Sequence, residues 1–228
     1  MTTRAKWAES LEPLIAQARE ELRRRDRRAI ADCSGAEFVE SASGKGQFKL
    51  RFFGRSYAIS WPELVVSDPA GQSCSNPTQA ALLQYLMLAD GTSLADQWVS
   101  LRELPNGAFY EQAFQGYSGN LVARAFKSDI QALRQAALKL GGEPVPLGDA
   151  SFRFWAFPRI PLAIVCWSGG DEFPSSAKVL FDASAGHYSH LDMLAHLGSM
   201  LCDRLIEAYR VLQEKQSTAS EMTSRKPS

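Results

Sequence analysis

Charge of one sign is missing from this chain. Its 25 Lys and Arg balance 25 Asp and Glu over 228 residues, so no global field draws it toward nucleic acid or an anionic membrane. Paired cysteines are missing too. The four present, Cys33, Cys74, Cys166 and Cys202, form no C-x-x-C unit, which argues against a zinc knuckle, a thioredoxin-type pair or a self-contained iron–sulfur site. Buried, reduced thiols of a cytosolic protein are the expectation. Long apolar runs are absent as well: the longest, Ala80 to Ala89, is interrupted by Gln84 and reaches about half of the ~20 residues that span a bilayer. Met1 to Trp7 carries charges with no signal-peptide apolar core behind them, so a soluble cytoplasmic protein with neither nucleic-acid nor membrane partners is predicted. There is no G-x-x-x-x-G-K-[ST], no G-x-G-x-x-G after a strand, no G-x-S-x-G and no H-E-x-x-H, which sets aside the common nucleotide and hydrolase chemistries.

What is present is ordinary globular composition, 45% hydrophobic and 22% charged, enough to bury a sizeable core. From Lys6 to Ala31 the apolar positions Trp7, Leu11, Leu14, Ile15, Ala18, Leu22 and Ile30 recur at helical spacing. They predict one amphipathic helix, interrupted early by Pro13 and ended by Gly35. Its basic run, Arg23-Arg24-Arg25-Asp26-Arg27-Arg28, lacks flanking aromatics and reads as a solvated face. Gln47 to Phe52 and Ser56 to Ser60 read as a hairpin around Phe53-Gly54-Arg55, with a strand at Phe38-Val39 before it. Three helical segments follow: Thr78 (as N-cap) to Ala89, Gly107 to Tyr117, and Leu121 to Leu140, closed by Gly141-Gly142.

A Pro- and Gly-rich connector, Glu143 to Asp149, leads to the densest tract of the chain. Phe152 to Phe157 and Pro161 to Trp167 are strands, then Gly169 to Pro174 is an acidic loop and Ser175 to Asp182 another strand. A last helix is predicted from Ser189 to Glu214, with Ser189 and Asp192 as a capping box. Strand groups separated by about three helices mean an α+β fold rather than alternating βαβ. One mainly antiparallel sheet built from both strand groups, with helices packed on one face, is the predicted architecture. The boundaries are an N-terminal helix over 1–35 packed on the domain, a single α+β domain over 36–214, and a disordered tail over 215–228.

Two regions gather residues with chemistry. Asp171 and Glu172 stand in the acidic loop, with Lys178 and Asp182 on one face of the following strand; paired carboxylates can do acid/base work. All three histidines fall between His187 and His196, and His187 follows Asp182 closely enough to act with the carboxylates. H-x-x-H-x-x-x-x-x-H is no metal spacing, so no metal site is predicted. The second region, Asp90 to Tyr110, concentrates Asp90, Trp98, Arg102, Glu103 and Tyr110, and an Arg among planar aromatics is a common way to hold a carboxylate, phosphate or conjugated ring. The catalytic candidates are therefore Asp171, Glu172, Asp182 and His187. The ligand-binding candidates are Asp90, Trp98, Arg102, Glu103, Tyr110 and Lys178.

Several blocks resemble a family by their order: Phe53-Gly54-Arg55-Ser56-Tyr57, Ala89-Asp90-Gly91-Thr92, Trp98 to Pro105, Pro158-Arg159-Ile160-Pro161-Leu162, Asp171 to Asp182, and His187-Tyr188. They are similar to an uncharacterised bacterial and archaeal family, the domain of unknown function numbered three-seven-eight-six, over residues 36 to 212. Some members resemble fusions to a four-cysteine iron–sulfur domain of the kind found in corrinoid proteins, which implies redox or one-carbon cofactor metabolism. Here residues 1 to 35 hold only Cys33, so this chain departs from that arrangement.

The leading expectation is a cytoplasmic ligand- or cofactor-binding accessory protein. Its partner would be a small molecule or an iron–sulfur or corrinoid protein, and no motif specifies the cofactor. The alternatives are an enzyme using carboxylate and histidine, with or without a divalent metal, and a protein-interaction module.

Overall fold

The computed structural model describes residues 10–41, 44–170 and 173–224, with the backbone alone from 216 onward. The fold is α+β. By contacts the chain divides into two compact units, each discontinuous in sequence. The first comprises Met1–Gln97, Trp155–Pro161 and Asp182–Leu194; the second comprises Trp98–Phe154, Leu162–Phe181 and Ala195–Ser228.

In the first unit the predicted single N-terminal helix is two, α1 (Glu12–Arg24) and α2 (Arg27–Ser34). Pro13 lies in the first turn of α1, where its missing N–H costs nothing, so it starts the helix instead of interrupting it. The break falls at Asp26, whose carboxylate accepts from the N–H groups of Arg28 (3.0 Å) and Ala29 (2.9 Å) and opens α2. Gly35, in the left-handed region at φ 69°, closes it as predicted.

The basic run is not simply solvated. Arg23 donates to Pro62 O, Arg27 pairs with Glu40, and Arg25 donates to the carbonyls of Leu86, Met87 and Ala89. Those carbonyls end α3 (Asn76–Leu88), and a guanidinium there meets both the orphan oxygens and the negative end of the helix dipole. Helix α3 is apolar on every side, with Ala80 to Leu86 buried throughout, as a helix hydrophobic all round must be. It begins at Asn76, two residues before the predicted N-cap Thr78. The sheet of this unit is antiparallel in the order β1 (Glu37–Glu40), β2 (Gly46–Phe52), β3 (Arg55–Trp61), β4 (Val66–Ser67). Phe53 (φ 45°) and Gly54 (φ 76°) make its two-residue hairpin turn, and alternation buries Phe48, Leu50 and Phe52 while Lys49 and Arg51 face out.

The second unit carries most of a five-stranded sheet, ordered β5-β9-β8-β7-β6, from β5 (Trp98–Ser100), β6 (Glu143–Pro144), β7 (Ala150–Phe157), β8 (Ile160–Trp167) and β9 (Ser176–Asp182). The expected single sheet is thus corrected to two. The reason lies in short strands that periodicity did not reveal: β4 extends the first group, and β5 and β6 extend the second, so each group pairs within itself. Cover on one face also gives way at the central strand, since β8 is buried from Ile160 to Cys166 on both sides of its pleat.

The segment predicted as one helix from Leu121 to Leu140 is α5 (Gly119–Phe126) and α6 (Ile130–Lys139), preceded by α4 (Glu111–Tyr117). Asp129 starts α6 by accepting from Ala132 N–H at 2.8 Å. The last helix, α7 (Leu191–Ser224), runs ten residues past the predicted end at Glu214, although five of those ten are Ser or Thr, which are only moderate helix formers. Its expected capping box does not form, because the Ser189 hydroxyl donates to Gln84 Oε1 at 2.9 Å.

Candidate functional site

Three of the predicted residues come together in the first unit, where the loop after α3 meets the turn after β9. Asp90 is the second residue past the end of α3. It closes a local turn by accepting from Thr92 N–H at 2.9 Å on Oδ1, while its Oδ2 lies 2.8 Å from His187 Nδ1. The Thr92 hydroxyl is 3.2 Å from the same nitrogen. An ionised carboxylate only accepts, so His187 Nδ1 carries a proton, and in the neutral imidazole Nε2 carries the lone pair. Nε2 has no hydrogen-bond partner among the described residues, and the imidazole is 51% exposed.

Electrostatics agree with that assignment. The Thr92 N–H, the His187 imidazole and the Thr92 hydroxyl together hold the Asp90 carboxyl down at about 2. It is ionised at any physiological pH.

Asp182 has a different task. It is 3% exposed, and its Oδ1 accepts from Ala95 N–H (2.9 Å), Ser184 N–H (2.9 Å) and the Ser184 hydroxyl (2.5 Å). Burial alone would raise its pKa, but the hydrogen bonds from Ser184, Ala95 and Asp96 outweigh burial and keep it below the ordinary carboxylate range. With every donor on it a backbone or serine group of the two loops, Asp182 fastens them together and has no proton to exchange. Ala183 N–H adds a bond to Gln97 O at 2.9 Å, and the Tyr188 hydroxyl donates to Thr92 O.

Residues that pattern reasoning passed over complete the corner. Gln84, 1% exposed inside the apolar helix α3, accepts from Ser189 Oγ and from His190 N–H at 3.2 Å. Tyr85 donates to Ser34 O at 2.5 Å, accepts from Arg159 N–H at 3.2 Å and stacks on Phe157 with ring centroids 4.2 Å apart. Burial pushes the Tyr85 phenol far up. Burial likewise raises Tyr188, against Arg159 and with Asp90, Cys33 and Asp182. A signal for these existed: a lone Gln in an apolar run must find a partner, and D-G-T is an Asx-turn pattern.

The other candidates lie in the second unit. Glu103 folds back on its own turn, accepting from Ser100 N–H (2.7 Å) and Ser100 Oγ (2.8 Å), which lower its pKa with help from the Lys178 charge. Arg102 contributes its backbone N–H to Glu111 at 3.1 Å, and its side chain is exposed. Trp98 is half-buried, and Lys178 is exposed on β9 opposite Val165. Tyr110 is 49% exposed and its neighbour Phe109 94%. Asp171 and Glu172 lie outside the described residues, so the acidic-loop candidate stays an expectation from sequence. A cavity of about 230 Å³ in this unit is lined by Arg134 and the loop Pro144 to Phe152, but none of the candidates lines it. Among the described residues no group of three or more His, Cys, Asp or Glu could hold a metal ion.

The model of the family described as a domain of unknown function, DUF3786, matches residues 26–204, and the chain belongs to that family. No curated protein and no solved structure matches it. No helix among the described residues is long and apolar enough to cross a membrane.

Proposed function

We propose that this chain is a cytoplasmic ligand- or cofactor-binding accessory protein, with its binding group at the corner formed by Asp90, Thr92 and His187. One observation carries the reading: His187 is held at Nδ1 by a carboxylate that stays ionised, and its second nitrogen is left without a partner on a half-exposed ring. An isolated surface pair would not need Asp182, Tyr188 and Gln84 to stitch the two loops behind it. The resemblance noted above supports iron–sulfur, corrinoid or one-carbon metabolism as the setting. Native mass spectrometry of the protein from its own cells tests this reading. A small molecule retained by the wild type and lost in His187→Ala is the expected result; identical spectra for the two would overturn it.

A second reading, an enzyme of carboxylate and histidine, draws on the same geometry, since an imidazole oriented at Nδ1 is poised to accept a proton at Nε2. What it lacks is a nucleophile on that nitrogen. The thiol of Cys33 packs beside Gly91, where an added Cβ would lie 3.4 Å from Sγ, yet makes no hydrogen bond to His187.

A further inference from the structure

We infer that the cavity walled by Arg134 and the loop from Pro144 to Phe152 is a binding site for a small zwitterion, a free α-amino acid with a short side chain. The inference goes beyond the His187 corner, since every residue it uses lies in the second unit.

The wall is built before any ligand arrives. The Ser151 hydroxyl lies 2.8 Å from Val145 O and beside Leu147 O, sharing its proton between them, and it accepts from Leu147 N–H at 3.1 Å. Val145 N–H donates to Ser151 O at 3.1 Å. Gly148, at φ 52°, lets the loop press onto the end of β8: a Cβ there would lie 2.9 Å from Cys166 O, and Asp149 N–H donates to that same carbonyl at 3.0 Å. A ligand therefore meets a loop already in place, without the cost of ordering it.

Charge defines the ligand. Two charged side chains line the cavity, Arg134 and Asp149, both exposed, and among the described residues they form no ion pair with each other. One contact fixes the guanidinium, Nη2 to Asp149 O at 3.2 Å, and its other N–H groups have no acceptor among the described residues. Asp149 Oδ2 accepts from the Ser168 hydroxyl (2.6 Å) and N–H (2.7 Å), which hold its carboxyl below the ordinary range. Its Oδ1 has no partner among the described residues. Because Arg134 touches the carbonyl of Asp149 itself, the two unlike charges stand side by side at one opening. A plain carboxylate would be drawn by one and repelled by the other, and a plain amine likewise. A molecule with ammonium and carboxylate on one carbon is favoured by both.

Lining and size set the rest. Val145, Pro146, Leu147 and Phe152 give the cavity apolar surface, suited to an aliphatic side chain. Its volume of about 230 Å³ equals that of roughly seven or eight waters at ~30 Å³ each. That admits an amino acid such as valine and excludes a nucleotide or a macrocycle.

The experiment titrates the full chain with glycine, L-alanine, L-serine, L-valine and L-leucine, followed by calorimetry and backbone amide NMR. At least one should bind at one per chain, moving the amide signals of Gly148 and Phe152 but not that of His187. The best binder's analogues without its amine or without its carboxylate, 3-methylbutanoate and 2-methylpropylamine for valine, should each bind tenfold or more weakly. Arg134→Gln and Asp149→Asn should each weaken binding tenfold or more, whereas His187→Ala should leave it unchanged.

Melting temperatures would show that the two exposed variants remain folded; if either does not, the analogues and the wild-type amide shifts decide alone. No binding by any of the five up to tens of millimolar overturns the inference. So does binding that leaves Gly148 and Phe152 unmoved or survives either substitution in a folded variant. An amine-free analogue as tight as its parent overturns it too, since the site would then take plain carboxylates.

Discussion

The segment from Asp90 to Tyr110 reads as one candidate region, yet its two halves are built by opposite means. From Asp90 to Gln97 the polar groups are satisfied by partners about ninety residues away: His187 for Asp90, Asp182 for Ala95, Ala183 for Gln97 and Tyr188 for Thr92. From Trp98 to Tyr110 they close on themselves. Glu103 bonds to Ser100, Arg102 N–H to Glu111, and the turn carries Phe109 outward at 94% exposure. Charged residues satisfied within one turn cap that turn. Those satisfied across the chain hold surfaces in register, and a site needs the second kind.

The largest effect should come from cutting the long-range stitch. Asp182→Ala leaves the buried N–H and hydroxyl of Ser184, and the part-buried N–H of Ala95, without their acceptor, at a cost of about 3 kcal/mol. Calorimetry should record that as a loss of about 6–12 °C. An unchanged melt would mean that the first half is ordered by something else.

Next is the local turn. A Cβ at Gly107 would sit 1.7 Å from Leu101 O, a main-chain atom that no rotamer change moves away, so Gly107→Ala should cost about 2 kcal/mol. If the second half is as self-contained as its hydrogen bonds indicate, the NMR signals of His187 and Tyr188 should stay in place in that variant.

Smaller still is Asp90→Asn, at most about 1 kcal/mol because the pair is half-exposed and screened. Its pH dependence has a definite sign. The folded carboxyl titrates at about 2 against an ordinary 3.8, so its contribution is full above 3.8 and is lost as pH falls toward 2. The gap in melting temperature between wild type and Asp90→Asn should follow that course in melts recorded from pH 5 to 2. A gap that widened on acidification would break the comparison. The smallest effect belongs to Phe109→Ser, within about 0.5 kcal/mol, since that ring buries almost nothing.

The α+β class was legible because strands and helices obey different periods, and Gly35, Gly141 and the Phe53-Gly54 turn ended elements where a left-handed residue was needed. The breaks at Asp26 and Asp129 were not. Apolar spacing continues across both, and only the cap hydrogen bond says where one helix stops. The division into two sheets was hidden for a similar reason, since β4, β5 and β6 are two or three residues long and carry no period. At the site, Asp90, Asp182 and His187 were named from residue type alone, while their roles depend on pairing. Nothing in the spacing told the buried fastener Asp182 from the exposed Asp90, or tied Gln84 to Ser189 across 105 residues. Those are facts of tertiary contact.

The interleaving of the two units reaches back to the birth of the chain. By the time Gln97 is made, the first unit has its helices and its own sheet, but Asp182 to Leu194 is still 85 residues from being translated. At ribosomal speed that is a wait of roughly 4–17 s. Throughout it α3 has α1 and α2 against it, but its Gln84 lacks the Ser189 and His190 donors that will satisfy it. The corner that orients His187 is thus also a latch, and it shuts only after most of the protein has left the ribosome.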